Sequence, residues 1–285
     1  MDITEFLSSN VREKPFAAVL GHPVAHSRSP AIHNAALKYH ALPVSYHAID
    51  CPPEKNTLLP ELFSLPAFRG ANITIPLKQD IIGYLNETDE TSQEIGAVNT
   101  VVPSGHAGVR PSGFNTDAYG FQKPLEGITD LECAVVLGAG GACRAVVYAL
   151  RKSGFKKIYV ASRRAGSGLS KLPGQVDIID YSVIKNAVKD SDIIVNTTPV
   201  GMYPKVDGLP VPEDLIPLLK GKICYDIIYN PLETRFLKEA RKHEAKTIGG
   251  LDMFIYQAAR SFELWFDKPM PLEMARSIII SDLNS

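Results

Sequence analysis

The sequence predicts an α/β protein built as two domains, and three observations predict it. Strand-like apolar runs alternate with helix-like segments along the chain, joined by short connections. A glycine cluster, GAGGACRA at 138–145, links one such strand to one such helix. The 285 residues, 45% hydrophobic and 21% charged, suffice for two ordinary globular cores.

In the first half, 16–20 reads as a strand and 30–40 as a helix. Segment 44–49 is a strand of mixed polarity, 54–64 is helical, and 70–75 is a strand stopped by Pro76. Such repetition argues for a mainly parallel sheet covered on both faces. Another strand, 97–102, runs into the Pro/Ser/Gly-rich stretch 103–113, a turn or hairpin. A helix follows over 116–125, with Asn115 or Thr116 as its cap, and the second domain begins near it. Strand 133–137 then enters the glycine cluster and a helix to Lys152. Strands at 157–161, 176–179, 192–196 and 222–228 follow, with helices between most of them. Two helical segments, 250–266 and 272–280, come last.

Composition narrows the partners. The net charge is −1 with no long basic or acidic run, so neither nucleic acid nor an anionic membrane is expected. Cys51, Cys133, Cys143 and Cys224 show no C-x-x-C spacing. Reduced thiols in the cytosol are therefore expected, with no zinc site and no disulfide framework. The stretch MDITEFLSSNVREK lacks a basic-then-apolar signal pattern, and no apolar run approaches the roughly 20 residues that span a bilayer.

Several motifs carry chemistry. In GHPVAHSRSPAIHN, residues 21–34, Ser29 can cap a helix whose first position suits Pro30. Ser27 and Ser29 would then lie beside a positive helix end, a place for a small anion such as a carboxylate. They would equally serve as one cap and one loop residue. In NITIPLK, Asn72 and Thr74 share a strand face. Lys78 follows Pro76 at a helix start, where the dipole disfavours a cation. That placement suggests a nearby carboxylate or a depressed pKa; the plain alternative is an exposed lysine. Asp117 falls in the first turn of a helix, where an acid also simply offsets the dipole.

The glycine cluster reads as a dinucleotide turn. Gly138 permits the sharp bend and Gly140 lets backbone approach a pyrophosphate at the helix N-terminus. Cys143 stands where the third glycine is usual. About 20 residues on, where an NAD site places an acid, the chain reads Ala161-Ser162-Arg163-Arg164. With no carboxylate to repel a phosphate and two guanidiniums to grip one, NADP(H) is expected. The alternative is two solvated arginines at a strand end.

GHPVAHSRSPAIHN resembles the N-terminal substrate motif of the shikimate dehydrogenase family. Similar motifs recur in order: GANITIPLK, GAVNT, GFNTDAYGF, GAGGACRA, NTTPVGM, YDIIYNP and GGLDMFIYQAA. The resemblance implies a substrate domain, 1–114 with the helical segment 255–285, and a Rossmann-type NADP domain, 115–254. The active site is expected in the cleft between them. It implies NADPH-dependent reduction of 3-dehydroshikimate to shikimate in aromatic amino acid biosynthesis, in the cytoplasm, by a monomer or homodimer.

In site residues, the resemblance gives Ser27 and Ser29 to the substrate carboxylate. Asn72, Thr74, Asn99, Tyr229 and Gln257 go to the ring hydroxyls. Lys78 and Asp117 form the catalytic pair at the hydroxyl that is oxidised. Gly138, Ala139, Gly140, Gly141 and Ala142, with Ser162, Arg163 and Arg164, hold the cofactor. Thr198, Val200, Met202, Ile227, Gly250 and Met253 fall on its nicotinamide side. The chain departs from the family's usual GDNTDG at Phe114 and Ala118, and from its Asn-Arg-Thr segment at Ser162 and Arg164. The nearest alternatives are a broader quinate/shikimate dehydrogenase and a non-catalytic protein that binds a cyclitol acid or a nucleotide.

Overall fold

The computed structural model describes residues 1–106, 108–163 and 172–284. They fall into two compact units, Met1–Thr116 with Gln257–Asp282, and Asp117–Tyr256 with Leu283–Ser285.

The first unit opens with α1 (Ile3–Ser8), held by a reciprocal cap. Asp2 Oδ1 accepts from the Thr4 N–H, and Glu5 Oε2 accepts from the Asp2 N–H. There follow β1 (Phe16–Gly21), α2 (Ser29–Tyr39), β2 (Ser45–Asp50), α3 (Leu59–Ser64) and β3 (Phe68–Ile73). Then come β4 (Glu87–Thr88), α4 (Glu90–Ile95), β5 (Thr100–Val102) and β6 (Ser112–Phe114). The expected helix over 54–64 is two pieces, a 3₁₀ turn Pro53–Leu58 and then α3. Pro60 has no N–H to give to a continuing ladder, so it sits in the first turn of a new helix.

The strand order is β2-β1-β3-β5-β6-β4. β1 pairs in parallel with β2 and β3, and β4 with β6, while β3–β5 and β5–β6 are antiparallel. This sheet is therefore mainly parallel, as expected, with two antiparallel pairings around β5, where 103–113 returns the chain as a hairpin. Alternation along β1 sends Phe16, Ala18 and Leu20 into one core with Ile3, Phe6, Leu59, Leu62 and Ile73.

The second unit contains α5 (Asp117–Gln122), β7 (Cys133–Leu137), α6 (Gly141–Lys152), β8 (Lys157–Ala161), β9 (Asp177–Ile179) and α7 (Ile184–Asp190). It continues with β10 (Ile193–Asn196), β11 (Ile223–Asp226), α8 (Arg235–Lys242) and β12 (Lys246–Ile248). Last come α9 (Gly250–Phe266), which contributes residues to both units, and α10 (Leu272–Leu283).

Its sheet is wholly parallel, in the order β12-β11-β10-β7-β8-β9. Counted from β7, that is the doubly wound order 3-2-1-4-5-6. The order reverses between β7 and β10, and ligands of such sheets bind at the carboxyl ends there. Val135, Leu137, Ile194 and Cys224 pack with Ile184, Val188, Phe236 and Leu237 on one side. Tyr225, one residue on from Cys224, points the other way and stacks on Phe121 of α5 at 4.7 Å.

Candidate active site

In the first unit, the carboxyl ends of β1 and β3 bring two motifs together. The Thr74 N–H donates to the Leu20 carbonyl at 2.8 Å and the His22 N–H to the Ile75 carbonyl at 2.9 Å. Gly21 is required by this approach, since a Cβ there would lie 2.3 Å from Thr74 Cγ2. Beyond Gly21 the chain reaches Ser27 and Ser29. Ser29 is not the cap: it is the first residue of α2, and Arg28 precedes it as N-cap without a side-chain bond. The capping is done by Ser27, whose Oγ accepts from the Ser29 N–H at 3.3 Å. The helix starts after Arg28, one residue earlier than the Ser-Pro pair suggests. Arg28 is in turn paired with Asp282 of α10 at 2.7 Å.

β3 ends at Ile73, so Thr74 lies one residue past the strand. Lys78, half-buried, stands in a turn ahead of the 3₁₀ segment Asp80–Tyr84 and not at the start of an α-helix. The dipole argument for a displaced cation therefore loses its basis. The Lys78 backbone carbonyl accepts from the Val98 N–H at 2.8 Å. That bond joins the lysine's turn to the GAVNT segment. Asn99 is 2% exposed; its Oδ1 accepts from the Thr116 N–H at 2.7 Å, and its Nδ2 donates to Thr116 Oγ1 at 3.0 Å.

Asn72 also belongs to this wall. It is 6% exposed, and its amide is largely committed to the protein. Tyr46 Oη donates to its Oδ1 at 2.7 Å, and its Nδ2 donates to Ser261 Oγ at 2.9 Å. Ser261 also bonds Thr100 Oγ1 and Thr116 Oγ1, and donates to the Gln257 carbonyl one helical turn back on α9. Burial pushes the Tyr46 phenol well above its ordinary range, with the nearby Ser29 hydroxyl opposing. His33 of α2 stacks on Tyr46 at 4.3 Å, and burial lowers its imidazole to about 3. This uncharged network ties Ser29, Asn72, Asn99 and the backbone of Gln257 into one frame. Sequence reasoning missed Tyr46, Thr100, Thr116 and Ser261 as members. The mixed polarity of 44–49 gave no signal that pointed Tyr46 inward.

In the second unit, the glycine turn after β7 fits a phosphate-bearing nucleotide. Gly138 has φ +93°, and a Cβ there would lie 2.6 Å from Thr198 Cγ2 of the loop after β10. The two loops thus touch at the switch point. A Cβ on Gly140 or Gly141 would meet nothing within 4 Å, so this backbone faces open space at the N-terminus of the 12-residue α6. Cys143 is fully buried in the third glycine's place, its thiol pushed up to about 12 by burial. Ser162 is buried and Arg163 exposed at the end of β8, where the guanidinium opposes the burial-driven rise of the Tyr181 phenol. Arg164 lies outside the described residues. Asp117 is the first residue of α5 and is 9% exposed. Thr198 and Val200 are half-buried, Met202 is exposed and Met253 is buried. Ile227 and Tyr229 follow β11, and Tyr229 stacks on Phe254 of α9 at 4.5 Å.

This arrangement has counterparts. Residues 19–101 match the family described as shikimate dehydrogenase substrate binding domain, and 250–276 the shikimate 5′-dehydrogenase C-terminal domain. A shikimate dehydrogenase (NADP(+)) of Methanococcus maripaludis is 42% identical over 92% of this chain and 95% of its own. The chain belongs to the shikimate dehydrogenase family. The shikimate 5-dehydrogenase of Thermus thermophilus, crystallised with NADP(H) and shikimate, superposes with a TM-score of 0.80 at 37% identity. That match covers 94% of this chain and 99% of the other. Within the same fold lies the quinate dehydrogenase of Corynebacterium glutamicum in complex with NAD, TM-score 0.85 at 30% identity, covering 94% and 99%. Neighbours of this fold thus include one crystallised with NADP(H) and one with NAD.

Proposed function

We propose that this chain catalyses the NADPH-dependent, reversible reduction of 3-dehydroshikimate to shikimate, an early step towards aromatic amino acids. The observation that carries this reading is the full-length likeness to enzymes named for it, together with a strand end that reads Ser162-Arg163 where NAD sites carry an acid. The first unit supplies the substrate domain and the second the NADP domain.

Ser27 and Ser29 hold the ring carboxylate. Asn72, Thr74, Asn99, Tyr229 and Gln257 bond the ring oxygens. The turn Gly138–Ala142 carries the pyrophosphate. Ser162, Arg163 and Arg164 take the 2′-phosphate. Thr198, Val200, Met202, Ile227, Gly250 and Met253 line the nicotinamide side. When bound, the cofactor supplies the hydride. Lys78 meets the charge that develops on the substrate oxygen and gives it a proton, and Asp117 orients and tunes the ammonium. Because these ligands are polar, an analogue lacking a hydroxyl leaves a protein group unpaired and is rejected. No helix among the described residues is long and apolar enough to cross a membrane, and a cytoplasmic monomer or homodimer completes the reading.

The test is absorbance at the NADPH band with shikimate and quinate, each against NADP and NAD. Turnover with shikimate and NADP well above the other three pairs supports the proposal. Preference for quinate or NAD moves the chain to the broader dehydrogenase. Binding without turnover makes it a cyclitol-acid sensor.

A further inference from the structure

Among the described residues, the second unit buries one carboxylate that the chemistry above does not use. Asp226 ends β11, is fully buried, and stands in register with Asn196 at the end of β10. Its Oδ1 accepts from Asn196 Nδ2 at 3.0 Å and from the Ile228 N–H at 3.1 Å. Its Oδ2 accepts from Thr234 Oγ1 at 2.7 Å. All three partners are neutral donors. Asn196 passes the orientation on. With its Nδ2 turned to Asp226 and to the Val200 carbonyl, its Oδ1 is left to accept from the Thr198 N–H at 3.0 Å and Thr198 Oγ1 at 2.7 Å. Thr198 Oγ1 then accepts from the Val200 N–H at 3.2 Å. On the other side, the Ile228 carbonyl accepts from the Gly250 N–H at 3.1 Å. A Cβ on Gly250 would lie 2.1 Å from the Ile227 carbonyl oxygen, so these backbones pack without slack.

We infer that Asp226 is a positioning residue that sets the two loops proposed to hold the nicotinamide, acting through Asn196 on Thr198 and Val200 and through Ile228 on Ile227 and Gly250. This rests on the nucleotide reading of those loops. The chemistry explains the choice of residue. A carboxylate only accepts, and every group facing it donates. A carboxamide would have to point its NH₂ either at Thr234, whose hydroxyl would then have to accept instead of donate, or at Asn196 and the Ile228 N–H, which both donate. Turning towards Asn196 would flip that amide, presenting its NH₂ to the Thr198 N–H and breaking the loop's first bond.

The experiment compares wild type with Asp226→Asn and Asn196→Ala. It measures kcat, the Kd of NADP and the Kd of 2′,5′-ADP, which carries the adenosine and its phosphate but no nicotinamide. The expected result is a kcat lowered about tenfold to a hundredfold, the scale of a small misplacement of reacting groups. NADP affinity falls relative to 2′,5′-ADP, whose own Kd stays within about twofold because the glycine turn and Arg163 lie on β7 and β8. A kcat within about twofold of wild type in both variants overturns the inference, as does a loss of 2′,5′-ADP affinity as large as the loss of kcat. If Asp226→Asn does not fold, Asn196→Ala decides alone, since it cuts the relay and keeps the carboxylate. A wild type inactive on shikimate would defeat the functional reading, while the two nucleotide affinities would still decide the role of Asp226.

Discussion

The first unit buries Tyr46, Asn72, Thr100, Thr116 and Ser261 as a network without a formal charge, and stacks a neutral His33 against it. The second unit buries the carboxylate of Asp226 among neutral donors. The network and the carboxylate are each held by hydrogen bonds, but by different chemistry. Hydroxyls and amides can donate or accept, so the first network can adjust around a substrate rich in hydroxyls. A carboxylate can only accept, so it fixes the direction of every bond around it. The difference shows where the molecule tolerates adjustment and where it prescribes a geometry, and burial gives His33 and Asp226 opposite responses to pH.

The strongest way to break this comparison is at Lys78, which the functional reading makes the proton donor of the first unit. Lys78→Ala should lower kcat by about two to four orders of magnitude, with a much smaller change in shikimate affinity because the serines and the polar network persist. A variant with near-normal kcat and only a raised KM would reduce Lys78 to a binding residue, and would leave the first unit without chemistry.

The pH response comes next. Burial lowers His33 from 6.5 to about 3, so the folded state resists its protonation. Its contribution to stability is complete above pH 6.5 and is lost as pH falls. From about pH 7 to about pH 4.5 the loss should be about 2–3 kcal/mol. Asp226 is raised by burial from 3.8 to about 6, so the folded state holds its proton more tightly than the unfolded chain. Its contribution is favourable at low pH and is lost as pH rises from about 4 through 6. Over the same descent the second unit should gain about 2 kcal/mol from this group. Trp265, the single tryptophan, lies 5.3 Å from His33 and reports the first unit by fluorescence in urea. Amide exchange along β10 and β11 reports the second. Subtracting the same curves for His33→Phe and Asp226→Asn isolates each group. Difference curves of the same sign would remove the contrast between the units.

Two smaller effects sharpen it. Arg163→Ala should raise the KM for NADP about fivefold to tenfold while leaving that for NAD nearly unchanged, an effect that shrinks at high salt because the side chain is exposed. Equal weakening of both cofactors would make Arg163 an ordinary strand-end residue. Tyr46→Phe removes one donor and leaves Asn72 Oδ1 without that partner, which should cost about 1–2 kcal/mol. If the network adjusts as argued, the cost appears in shikimate KM and leaves NADP KM unchanged. A shift in NADP KM of the same size would mean that the phenol supports general stability only.

The sequence by itself determined the elements whose cause is local. β7, α6, β8 and α9 begin or end where an apolar run, a glycine turn or a strand end says they must. The capping box of α1 is equally local, written in Asp2 and Glu5, though no helix was expected there. β12 left no such trace, because Lys246–Ile248 is too short to show a period and pairs only because β11 is beside it. Pro60 could have warned that 54–64 would break.

For the site, the motifs placed Ser27, Ser29, Lys78, Asn99 and the glycine turn in order along the chain. Only the tertiary structure decided which hydrogen bonds each side chain is free to make. Asn72 is drawn into its wall by Tyr46 and Ser261, from positions 26 residues before it and 189 after. Asp226 gains its meaning from Asn196, 30 residues away on the neighbouring strand. The physical reason is range: capping, turns and periodicity act over a few residues and are written in adjacent letters. The saturation of a buried polar group depends on partners that meet it only when strands pair and helices pack, and no local pattern records them.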